Sequence, residues 1–98
     1  MSFKEELENK YRASLNAKVQ AEVDPLFEKV KTDCLKAAEN ARASLDFVLG
    51  EVDSTIISLV GRSLEMKITR ELGLVAKFVV DSDCRDTTYY IRITGWTR

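Results

Sequence analysis

Asp81, Asp83 and Asp86 cluster at the tip of a predicted hairpin and suggest oxygen ligands for a hard cation such as calcium. The segment lacks the loop glycine and the distal bidentate glutamate of an EF-hand loop, and aspartate is an ordinary turn residue. Three solvated turn carboxylates are therefore expected. Cys34 and Cys84 form no CxxC pair and are predicted to be free thiols, with a Cys34 to Cys84 disulfide reserved for an exported protein. The 98 residues include no histidine, which removes the commonest general acid/base, imidazole ligand and pH sensor. No GxxxxGK, GxGxxG, GxSxG or HExxH pattern occurs. The sequence thus predicts a non-enzymatic chain, with no catalytic residues, no cofactor and no metal site.

Two other chemistries compete with that reading. A small-ligand binder or enzyme would need a pocket between helices and strands in which Arg62, Arg70, Arg92, Tyr89 or Tyr90 converge with a carboxylate such as Glu65. A single-strand nucleic-acid binder would use Tyr90, Arg92 and Trp96 as a stacking face. Charge argues against nucleic acid. Fifteen basic and 16 acidic side chains leave a net charge of −1, and no basic run occurs that would neutralise several phosphates. With Val75 and Val79 beside the tyrosine and arginine, protein contact is the more economical use of that face.

The elements that must position these residues follow from periodicity. Residues 2–49 contain no glycine and are predicted to be helical throughout, with Ser2 and Glu5 as a capping box. Phe3, Leu7, Tyr11, Leu15, Val19 and Val23 recur every four residues, so this stripe advances about 40° per step around the axis. From Phe27 the spacing changes to 3-4-3-4 through Val30, Cys34, Ala37 and Ala41, and Leu45 and Val48 continue it. Asp24-Pro25 is the one candidate break, with Asp24 suited to cap a second helix. An unbroken helix over 2–49 would be about 72 Å long, roughly twice the width of a compact globule of this size. Either the chain folds back at Pro25, or it is an elongated protomer that buries its stripes against another copy.

Gly50 is predicted to end the second helix. A third, buried helix runs from about Ser54 to Leu72 and ends at Gly73. The period then switches to two. Leu74 to Asp81 and Thr88 to Thr94 form an antiparallel hairpin, with Phe78 opposite Tyr89, Ala76 opposite Ile91 and Leu74 opposite Ile93. This register sets Lys77 against Tyr90 and avoids a like-charge pair with Arg92.

The fold class is therefore α+β, one domain over 1–98: a long amphipathic N-terminal helical region kinked or broken near Pro25, a buried third helix, and a C-terminal two-stranded hairpin (helical 2–72, hairpin 74–95). The hairpin face carrying Val75, Val79, Tyr90, Arg92 and Trp96 is the candidate interface. Ala37, Ala41 and Gly61 are the candidate helix–helix contact. The function expected is protein interaction, with self-association, a dimer foremost, in a small assembly component or an accessory or inhibitor protein that binds a host or cellular partner. The acidic start and the lack of a long apolar run predict a cytoplasmic chain with no membrane segment.

Overall fold

The computed structural model describes residues 2–50 and 52–96. Helix α1 spans Phe3–Glu39 without a break. Ser2 caps it, its hydroxyl accepting the Glu5 N–H at 3.2 Å, and Glu5 and Glu6 sit where the helix dipole favours acids. Thirty-seven residues make about 55 Å of helix, which matches the 56 Å long axis of the molecule.

The expected break at Pro25 does not occur. Proline inside a helix costs about 3 kcal/mol, but Val23, Phe27 and Val30 flank it on a buried face, and each contributes about 1.5–3 kcal/mol by its burial. Pro25 and Ala21 both lie on the exposed side, where water can take the carbonyl that proline leaves free. Asp24 caps nothing. Its carboxylate accepts from Gln20 at 3.1 Å and from Lys67 at 3.2 Å, bonds that hold it below the usual carboxylate range, Gln20 first, and tie α1 to the next helix.

The helix also ends ten residues before the predicted boundary. Ala41 adopts φ 58°, the Ala41 N–H donates to the Ala38 carbonyl, and the Arg42 N–H reaches back to Ala37. This is a Schellman closure made without glycine. Strand β1, Ser44–Val48, follows where continued helix was predicted. Its alternation is that of a strand: Leu45 and Phe47 turn inward while Ser44, Asp46 and Val48 stay exposed.

Helix α2 covers Ile57–Lys67 and continues as a wider π turn over Ile68–Leu72, ended by Gly73 in the left-handed region. Among the described residues there are thus two helices, not three. Strands β2, Val75–Ser82, and β3, Thr87–Thr94, form the hairpin, and β1 pairs with the other side of β3 to give an antiparallel sheet of order β1-β3-β2. Both helices lie on one face of this sheet. Val30, Val60, Leu64, Ile68, Ile91 and Ile93 are fully buried between the layers.

The hairpin register is one pair away from that predicted. Phe78 faces Ile91, Val79 faces Tyr90 and Lys77 faces Arg92. Two facts reverse the electrostatic argument. The predicted register would oppose Asp81 to Asp86, whereas the observed one brings the Ser82 and Thr87 hydroxyls together at 3.3 Å. The Arg92 charge is met by Asp46 of the unforeseen third strand, with Arg92 Nε donating to Asp46 Oδ1 at 3.0 Å.

Ala37, Ala41 and Gly61 do not gather as a helix crossing. Ala37 is buried, Ala41 is exposed in its cap, and the atoms nearest to Gly61's missing side chain belong to the Phe78 ring of β2. A Cβ at Gly61 would fall within the van der Waals envelope of that ring. Two opposite outcomes follow in denaturant titrations. Ala41→Gly raises stability by about 1 kcal/mol, because a left-handed Cβ is removed. Gly61→Ala lowers it by roughly 1–3 kcal/mol despite alanine's better helix propensity, because the aromatic ring has to move.

Candidate functional site: an uncovered sheet face

Strand pairing arranges the outer sheet face in three rows. Val48, Tyr90 and Val79 form one; Asp46, Arg92 and Lys77 the next; Ser44, Thr94 and Val75 the third. The inner face, with Phe47, Ile91 and Phe78 in one row and Leu45, Ile93 and Ala76 in another, packs against the helices. Nothing among the described residues covers the outer face: Val48 is 58% and Val75 63% exposed. A sheet with apolar side chains on both faces ordinarily has a layer on each.

Four of the five predicted interface residues, Val75, Val79, Tyr90 and Arg92, share this face. The Arg92 guanidinium lies 5.7 Å from the centre of the Tyr90 ring and bonds to Asp46. That hydrogen bond, then the aspartate's charge, holds it still more firmly protonated. Lys77, across β3 from Asp46, has no ion pair among the described residues.

Trp96 is elsewhere. Gly95 at φ 111° comes within contact of the Val75 backbone and turns the chain toward the helices. The Trp96 indole N–H then donates to the Arg42 carbonyl at 2.8 Å, and the ring borders an apolar groove with Cys34, Leu35, Leu72 and Leu74. Trp96 thus fastens the sheet to the end of α1. Val48 and Asp46 are the members of the outer face that periodicity missed. Their signal was the alternation Ser-Leu-Asp-Phe-Val, which overlaps a helical spacing of Leu45 and Val48.

The residues named for a ligand pocket are dispersed. Tyr89 points inward and stacks on Phe78 at 6.3 Å, whereas Tyr90 and Arg92 are on the opposite face. Glu65 accepts the Phe78 N–H at 2.7 Å, closing part of the free edge of β2. Asp83 serves the hairpin turn. Its carboxylate accepts the N–H groups of Arg85 and Asp86, which lowers its pKa, the Arg85 bond contributing most. Cys34 and Cys84 are free, and burial, then the neighbouring Asp33, pushes the Cys34 thiol up. Among the described residues no cluster of three or more metal-ligating side chains occurs, and no helix is long and apolar enough to cross a membrane.

The central row makes its own prediction. Asp46→Asn leaves Arg92 facing Lys77 without a counter-charge, so the denaturation midpoint falls at low ionic strength. The loss shrinks in about 1 M salt, where the Debye length is near 3 Å. An equal loss at both salt concentrations would contradict the electrostatic role.

Comparison with protein-family models, with curated proteins and with solved structures gives no match, so the surface geometry of the chain itself carries the functional assignment.

Proposed function

We propose that this protein is a non-enzymatic interaction module that self-associates through its outer sheet face, as a small assembly component or as an accessory or inhibitor protein for a cellular or host partner. The observation that carries this reading is the outer sheet face itself: no other element among the described residues lies over the row Val48, Tyr90 and Val79, and Val48 and, beyond the charged row, Val75 are more than half exposed, while the helices pack on the opposite face. Apolar contact of this kind is what a second protein surface removes from water, at roughly 25 cal/mol per Å².

In this reading a second copy of the chain is that surface. Rotating a copy by half a turn about an axis along the strands lays Val48 over Val79 of the second copy and Asp46 over its Lys77. Each unlike pair then occurs twice, as in an isologous contact. Lys77 then shares the Asp46 carboxylate that already accepts from Arg92 in its own chain, while Tyr90 and Arg92 each lie over themselves on the axis, so the apolar row supplies the attraction.

Light scattering over a concentration series tests the reading. The wild type is expected to rise above the monomer mass with concentration, and Val79→Lys to weaken association by about tenfold or more, because a charge enters the apolar row. A strictly monomeric wild type would contradict self-association. An unchanged mass in Val79→Lys would move the contact from the sheet to the helices.

A further inference from the structure

The two edges of the sheet are finished differently. The Leu49 N–H donates to the Tyr89 carbonyl at 2.8 Å, so Leu45, Phe47 and Leu49 turn their backbone groups toward β3. Ser44, Asp46 and Val48 turn theirs outward, and no hydrogen bond among the described residues engages those groups. On the opposite edge the outward Phe78 N–H of β2 is taken by Glu65. β1 has no such plug.

The open edge lies along a helix. β1 runs back beside α1: Leu45 shares one hollow with Asp33 and Lys36, and Phe47 and Leu49 share another with Leu26 and Lys29. The second hollow has a volume of about 340 Å³, and Pro25 and Leu26 form its apolar wall on the helix side. An unpaired strand edge with a groove behind it is the setting for strand addition, in which main-chain bonds give affinity and pockets for alternate side chains give specificity.

We infer that this edge takes an extended segment of a partner protein as a fourth strand, antiparallel to β1 and seated between β1 and α1. The contact is separate from the sheet-face contact proposed above. Three observations define the occupant. Free N–H and C=O groups at every second residue of β1 match another extended backbone. Phe47 turns inward, so the side chain opposite it enters the hollow beside Leu26, which has room for a large apolar group. Asp46 turns to the outer face with only Oδ1 engaged, by Arg92, so a lysine or arginine opposite it meets the other carboxylate oxygen. Antiparallel pairing reverses the order Asp46-Phe47, so the segment reads apolar, then basic.

Charge excludes β1 of a second copy as that strand. Full antiparallel overlap would set Asp46 directly against Asp46, and like charges directly opposite are destabilising. Sliding by one backbone pair parts them but leaves only three residues of each strand in register.

The test titrates the full wild-type chain, kept dilute, into a labelled and capped peptide Ser-Val-Phe-Lys-Val-Thr. Saturable binding below about 1 mM is expected. N-methylating the peptide lysine should weaken it by about tenfold, because that N–H donates to the Asp46 carbonyl. N-methylating the phenylalanine should change it little, because that N–H points away from β1. Replacing the lysine by glutamate should weaken binding severalfold. In hydrogen exchange, the Asp46 and Val48 amides should be fast in the free chain and slow with peptide bound.

Absence of saturable binding, or equal losses from the two N-methyl groups, would overturn strand addition. A glutamate peptide that binds as well as the lysine peptide would overturn the pairing with Asp46. Asp46 and Val48 amides that slow with protein concentration alone would give the edge to a second copy and overturn the partner segment. A strictly monomeric wild type, which contradicts self-association, leaves this inference standing.

Discussion

The length of α1 relative to everything it packs on is the constraint that organises this molecule. A 37-residue helix runs about 55 Å, while the eight-residue strands of the sheet run about 27 Å. Only half of the helix can find a partner in the same chain. The half that does, from Val19 to Ala37, supplies one wall of the core and holds the helix straight through Pro25. The other half is presented to solvent with an apolar ridge intact.

The same shortage of layers explains the sheet. Two helices suffice to cover one face, and after α1 and α2 are placed there no segment among the described residues covers the other. Asp46 and Arg92 stabilise that uncovered face from within. Their bond neutralises the charge that Lys77 would otherwise oppose, so the sheet keeps a register with like charges side by side. An isolated hairpin would have had no such compensation. Sheet register and third strand are thus one electrostatic unit, and the apolar row lies next to it on the same face.

Much of this architecture was legible in the sequence, for identifiable reasons. The capped start at Ser2, the glycine stop at Gly73 and the two-residue period from Val75 to Thr94 are local signals, and local structure obeyed them. The grouping of Val75, Val79, Tyr90 and Arg92 on one face followed from the same period. What escaped was non-local. The end of α1 carries no glycine or proline, because Ala41 takes the left-handed cap position at a cost, so the strand behind it blended into the helical spacing. With β1 hidden, Asp46 was absent from the charge balance and the register argument chose the wrong pair. Proline at position 25 misled for the opposite reason: its local preference is strong, but the buried residues on either side outweigh it. Gly61 answered to Phe78, a residue of another element, rather than to Ala37 or Ala41.

The central claim is that the sheet face left bare by one chain is covered by a second, and the denaturation midpoint followed against protein concentration tests it most directly. Association of folded chains stabilises them by mass action, so the wild-type midpoint should rise as concentration rises. In Val79→Lys that rise should be lost. A wild-type midpoint that is independent of protein concentration would contradict the account.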